Sequence, residues 1–244
     1  MKSVIICEGT TDLTLIQYYM EKAYNWGYRS TNRDLYGFKL YRTFAKNDNE
    51  LVIGEVGGCG GILNCLRNVL ERNTLSESLD EVHDNVVVIC DRDEADAVVG
   101  FDSGINECMT ELALVCPPEI VNNSWAQCSV VNARGKSVSF RFLLLVLPFE
   151  ETGALETFLL SAISEKDSYD GYIIKMGNGF VDTVDYENRY LLHRRHKTKA
   201  KFDVYFSIRT PYEQFGQRRD ILRSIDWENY ELLQNSFKKL EELG

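Results

Sequence analysis

Proline is scarce in this chain, with 4 residues among 244, and histidine scarcer still, with 3. No stretch is rich enough in Gly, Ser or Pro to act as a linker, and no segment repeats, which excludes collagenous and low-complexity chains. The hydrophobic fraction of 44% supplies the apolar surface that a disordered chain lacks. Long apolar runs are absent. The longest, 142–148, is far short of the roughly 20 residues a bilayer span needs. The N-terminal run is broken at Glu8, too early for a signal-peptide core of about 7–15 residues. Basic residues are outnumbered, 27 to 37, for a net charge of −10. That excludes a protein that coats nucleic acid by bulk charge, so any nucleic-acid chemistry must be local or carried by metal ions. The 7 cysteines contain no CxxC pair, which argues against a zinc ribbon or a thioredoxin-like site. Their odd number and scatter read as a reducing, cytoplasmic setting.

What is present is a succession of short apolar strands and helices. Lys2–Cys7 reads as a fully buried strand, because Val-Ile-Ile does not alternate with polar residues. Residues 8–11 form a turn, and the helical spacing from Asp12 to Met20 predicts a helix with Thr or Asp as its cap. Residues 22–49 show no clear pattern. A second strand is expected over 50–56, followed by a Gly57-Gly58-Cys59-Gly60-Gly61 turn and a helix over 62–72. Val-Val-Val-Ile-Cys at 86–90 is the strongest strand signal and runs straight into Asp91-Arg92-Asp93. A hairpin is expected around Asn132-Ala133-Arg134-Gly135-Lys136, its second arm Ser137–Leu147. Beyond Pro148 the pattern turns helical, with an amphipathic piece at 154–163 and a charged terminal helix at 229–243. Alternating strands and helices predict an α/β fold, a Rossmann-like parallel sheet flanked by helices, with a β-hairpin extension and a mostly helical C-terminal part. The division expected is 1–150 for the α/β part and 151–244 for a helical extension packed on it, or one continuous domain.

In such a sheet the strands end on one edge, and ligands bind beyond those carboxyl ends. Glu8 follows the first strand and Asp91 the strongest one. Asp93, two residues on in extended chain, points the same way as Asp91. Asp12 lies one helical turn past Glu8. Carboxylates that converge without basic partners repel one another unless a cation sits between them, and oxygen donors select Mg²⁺ or Mn²⁺ over zinc. The glycine turn, with Gly57, Gly58, Gly60 and Gly61, would let backbone approach a phosphate at a helix start. It lacks the GxxxxGK[ST] of an ATPase P-loop, and no GxGxxG follows the first strand.

Apolar strand, Glu8-Gly9-Thr10-Thr11-Asp12, helix, glycine turn, apolar strand, Asp91-Arg92-Asp93: this order resembles the TOPRIM domain. That domain is shared by topoisomerases, bacterial primases, recombination mediators and nucleases of the overcoming-lysogenisation-defect class. The resemblance covers roughly the first half of the chain. It implies Glu8, Asp91 and Asp93 as Mg²⁺ ligands for phosphodiester chemistry, with Asp12 as an auxiliary catalytic acid. The segment around Gly153-Ala154-Leu155-Glu156 is similar to that of small stand-alone bacterial TOPRIM-like proteins and brings Glu156 in as a further ligand. No catalytic-tyrosine domain and no primase module accompany it, so topoisomerase and primase activities are not carried over.

The stretch 189–201 holds Arg189, Arg194, Arg195, Lys197, Lys199 and Lys201 with no acid between them. It can seat a phosphate backbone, or act as a solvated or internally paired face. Lys199 or Lys201 can instead neutralise transition-state charge. Arg92 and Glu94 point away from the aspartate pair and are expected to be solvated, and His83 has no evident partner. The leading expectation is a Mg²⁺- or Mn²⁺-dependent nuclease on DNA or RNA. The competing one is a non-catalytic nucleic-acid-binding or regulatory module working with a partner ATPase, as TOPRIM-like proteins in phage defence are thought to do. A homo-oligomer is compatible with either, and no membrane is expected. A receiver-like domain phosphorylated on Asp91 would require a lysine at the end of a later strand.

Overall fold

The structure is a computed structural model, and it describes residues 1–93, 97–211 and 218–244. Glu94 lies outside the described residues. The strands are β1 (Lys2–Cys7), β2 (Gly27–Asn32), β3 (Leu40–Lys46), β4 (Asn49–Glu55), β5 (Asn85–Asp91), β6 (Trp125–Val131) and β7 (Ser137–Leu147). They form one seven-stranded sheet in the order β2-β3-β4-β1-β5-β7-β6. The four central strands β4, β1, β5 and β7 are parallel, and the outer pairings, β2 with β3, β3 with β4 and β6 with β7, are antiparallel. The helices are α1 (Thr10–Tyr24), α2 (Ile62–Leu75), α3 (Ala97–Glu111), α4 (Leu155–Lys166), α5 (Ser168–Val184), α6 (Arg194–Arg209), α7 (Arg218–Arg223) and α8 (Glu231–Phe237).

The non-alternating apolar strands are explained by burial on both faces. Ile5 and Cys7, with Val87 and Ile89, face a layer built from α1, α4, α6 and α8. Val4 and Ile6, with Val86 and Val88, face α2 and α3. The first layer unites residues from both ends of the chain, among them Leu13, Phe158, Phe202 and Leu233, so the C-terminal helices complete the core over the sheet.

Several elements differ from expectation. The unpatterned stretch after α1 contains β2 and β3, which extend the sheet antiparallel beyond β4. Strand β2 is almost wholly exposed, so main-chain pairing rather than side-chain pattern holds it. Helix α3 was not expected. The charged terminal helix is broken into a 3₁₀ turn (Trp227–Asn229), α8 and a 3₁₀ segment (Lys238–Leu243). His83 is buried: its Nε2 lies 3.0 Å from the Tyr36 hydroxyl, and its backbone N–H donates to Asn73 Oδ1. Burial, with Lys2 and Arg72 nearby, pushes its pKa down to about 4. Cys116 and Cys128 are disulfide-bonded, which runs against a uniformly reducing reading of the cysteines, while the other five are free. Protein denatured without reductant should titrate five thiols rather than seven.

Candidate functional site

The parallel register places the strand ends together. Cys7 stands beside Glu55 and Ile89, and Asp91 beside Leu147, so Glu8, Glu55 and Asp91 emerge on one edge. Glu8 ties this edge together. Its Oε1 accepts the Asp91 N–H at 2.9 Å, and its carbonyl accepts the N–H groups of Gly57 and Gly58, each at 2.8 Å. The glycine turn therefore clamps Glu8, and two of the N–H groups expected to face a phosphate have an internal acceptor instead. Gly57 has φ +79° and Gly58 φ +126°, conformations that favour glycine. A Cβ on Gly57 would also run into the Lys39 ammonium. Gly57→Ala is expected to cost about 1–3 kcal/mol, read as a lower midpoint in thermal denaturation.

Asp12 is the third residue of α1, whose cap is Gly9, and its Oδ2 accepts the Gly9 N–H at 2.8 Å. It serves the helix start and the acidic site together, though not as the cap residue itself. Asp91 Oδ1 accepts the N–H of Leu155, the first residue of α4, at 2.9 Å. That helix start is positioned by Arg92: its carbonyl accepts the Gly153 N–H at 2.8 Å and its Nε donates to the Pro148 carbonyl at 2.7 Å. Arg92 is thus a structural clamp, not a solvated side chain. Glu156, buried in the first turn of α4, faces the same group of acids electrostatically.

Burial raises the pKa of Glu8, Asp12 and Asp91. Mutual repulsion adds to it: Asp93 and Glu156 act on Glu8, Glu8 and Glu156 on Asp12, and Asp12, Glu8 and Glu156 on Asp91. The main influences opposing these shifts are backbone N–H groups rather than basic side chains. Asp93 differs, being exposed and paired with Arg194 at the start of α6 at 2.5 Å. Lys201, the expected catalytic cation, is instead bound to Asp182 of α5 at 2.8 Å. The basic stretch is further divided by an Arg189–Glu187 pair at 2.6 Å, which leaves Arg195 and Lys199 among its exposed cations.

Glu55 was missed by sequence reasoning. It is buried at the end of β4, its pKa raised by burial and opposed by the Gly57 N–H and Lys39. Its signal was its place at a strand end ahead of the glycine turn, matching that of Glu8 and Asp91. The later strands β6 and β7 end on Val131 and Leu147, so neither supplies the lysine a receiver-like site would need.

The acids suit a hard divalent cation in donor type and in unbalanced charge. Among the described residues, however, no group of three or more His, Cys, Asp or Glu is disposed as a ready metal-ligand set. The carboxylates rest on backbone donors rather than closing into a ligand shell.

A family of proteins of unknown function, DUF3226, matches residues 2–242. The chain belongs to the DUF3226 family. Hypothetical protein PH0156 from Pyrococcus horikoshii OT3 is similar in fold: its crystal structure gives a TM-score of 0.54 at 19% identity, covering 99% of this chain and 98% of that one. A glyoxylase/bleomycin resistance protein/dioxygenase domain from Frankia sp. EAN1pec gives a TM-score of 0.19 at 11% identity, covering 60% of this chain and 91% of that one, and carries no argument. No curated protein matches this DUF3226 chain. The solved neighbour thus supports the α/β sheet with its helical C-terminal part, and supports the fold alone.

Proposed function

We propose that this DUF3226 protein carries out metal-dependent phosphodiester chemistry, as a Mg²⁺- or Mn²⁺-dependent nuclease on DNA or RNA. The observation that carries the reading is the gathering of Glu8, Asp12 and Asp91 at one sheet edge, each with a raised pKa and none with a basic side chain as its main counterweight. The order of these acids resembles that of TOPRIM domains. Glu8, Asp91 and Asp93 would hold the cation, with Glu156 as a further ligand. A divalent ion bound there would supply the positive charge that polarises a phosphoryl oxygen and activates water. The Glu8 clamp keeps the ends of β1 and β5 at a fixed separation. Asp12 or Glu156 would orient a second metal or the attacking water. Arg194 moves from Asp93 to a phosphate when substrate arrives, and Arg195 and Lys199 steady the flanking backbone. The proposal places the protein in the cytoplasm; no helix among the described residues is long and apolar enough to cross a membrane.

The Arg194–Asp93 pair favours a second reading, because it occupies one of the proposed ligands. In that reading the protein is a non-catalytic TOPRIM-like module that binds nucleic acid or regulates a partner ATPase. Incubation with plasmid, single-stranded DNA and tRNA in Mg²⁺ or Mn²⁺ separates the two. Cleavage that stops on chelation supports the nuclease. Binding without cleavage, with or without a candidate ATPase, supports the module.

A further inference from the structure

Helix α5 carries an uncharged face that nothing among the described residues covers. Tyr169, Tyr172, Met176, Phe180 and Val184 are exposed by 72, 61, 57, 55 and 50%, and Ile173 is half-buried beside them. At 3.6 residues per turn these six fall on one side of the helix. Ile174, Gly177 and Val181 make the buried side. The charged residues of α5 turn elsewhere. Asp170 pairs with Arg209 at 3.6 Å, Asp182 pairs with Lys201 at 2.8 Å, and Lys175 lines the cavity shared with α4 and α6. An uncharged apolar stripe about four turns long is unusual on a chain that is 26% charged. The helix is also held firmly, its Asp167 cap accepting the N–H groups of Tyr169 and Asp170.

We infer that this face is a homodimer interface, in which α5 packs antiparallel against α5 of a second copy. Two features favour a second copy over another partner. The stripe is self-complementary: a two-fold axis at Met176 sets Tyr172 opposite Phe180 and the bulky Tyr169 opposite Thr183, next to the small Val184, as an isologous contact requires. The area is also of the right order. With about 150–250 Å² per aromatic side chain, the exposed parts of Tyr169, Tyr172 and Phe180 come to about 280–470 Å², and Met176 and Val184 bring the stripe to about 450–650 Å² per copy. Fully covered in two copies, the stripe buries about 900–1,300 Å², which at its upper end reaches the range of about 1,200–2,000 Å² typical of stable complexes. The interface is independent of the acidic edge and of the nuclease reading.

Sedimentation velocity on the full chain at micromolar concentration tests the inference. A species of about 56 kDa, twice 28.0 kDa, is expected. Replacing both Met176 and Phe180 with Lys is expected to weaken dimerisation about 100-fold or more. Both side chains are exposed, so the circular dichroism signal should survive. Met176→Cys provides a second reading, because the two cysteines meet at the axis and should cross-link on oxidation above the wild-type background. If the double variant loses its helical signal, the cross-link decides alone. A 28.0 kDa species throughout, a dimer unaffected by the two lysines, or a dimer in which Met176→Cys fails to cross-link overturns the inference and leaves the face to a different partner.

Discussion

Asp91→Asn is expected to abolish metal-dependent cleavage while making the protein more stable. Partners one shell removed from a metal typically cost 10–100-fold when mutated, so loss of a ligand should exceed about 100-fold. The stability change runs the other way, because burial and repulsion from Asp12, Glu8 and Glu156 all disfavour the Asp91 carboxylate. Asparagine keeps an acceptor for the Leu155 N–H and removes the charge. The sign with pH follows from linkage. A carboxyl whose folded pKa is raised binds more protons in the folded state, so its stabilising contribution is complete below the ordinary carboxylate range and is lost as pH rises through the raised value. The variant should therefore gain most in midpoint at neutral and alkaline pH and least near pH 4. Thermal denaturation across that range, alongside a cleavage assay, checks both parts. A variant that loses stability as well as activity would point to a structural role for Asp91.

Phe158→Ala is the second large effect. Phe158 is buried in α4, in the layer shared by the sheet and the C-terminal helices, and its ring centroid lies 6.3 Å from that of Phe237. Truncating a buried phenylalanine costs about 3–5 kcal/mol through lost transfer energy and the remaining cavity. In a chain of this size that lowers the thermal midpoint by about 10 °C. Because the same layer joins the first and last thirds of the chain, the variant should unfold in one shifted transition, seen alike by circular dichroism and by tryptophan fluorescence. Two separating transitions would mean that 151–244 folds as its own unit.

The elements legible in the sequence are those whose side chains carry the cause of their structure. β1 and β5 announce themselves because burial on both faces demands unbroken β-branched runs, and the hairpin of β6 and β7 because its turn residues are local. β2 is invisible because its pairing with β3 is largely main-chain and its side chains are mostly exposed, without an apolar pattern. The terminal segment reads as one helix from its charges. In the structure its last turns tighten so that Leu240 and Leu243 reach the core.

The acidic edge was legible for a comparable reason, since strand ends fix where Glu8 and Asp91 point. Partnerships across long separations were not. Nothing local to the glycine turn says that its N–H groups are claimed by Glu8, 49 residues before Gly57. Nothing near Lys201 marks Asp182 on the neighbouring helix, and nothing in 189–201 singles out Arg194 as the cation that meets Asp93. Glu55 was readable in principle by the same strand-end logic as its neighbours.

The proposed role of the acidic edge is tested most directly by the thermal midpoint of the wild-type protein and of Asp91→Asn with and without Mn²⁺, at pH 5.5 and pH 8.5. An ion that relieves repulsion among Glu8, Asp12 and Asp91 should raise the wild-type midpoint, more at the higher pH, and should leave Asp91→Asn nearly unchanged. A midpoint indifferent to Mn²⁺ at both pH values, or raised equally in the variant, would contradict a cation site at this edge.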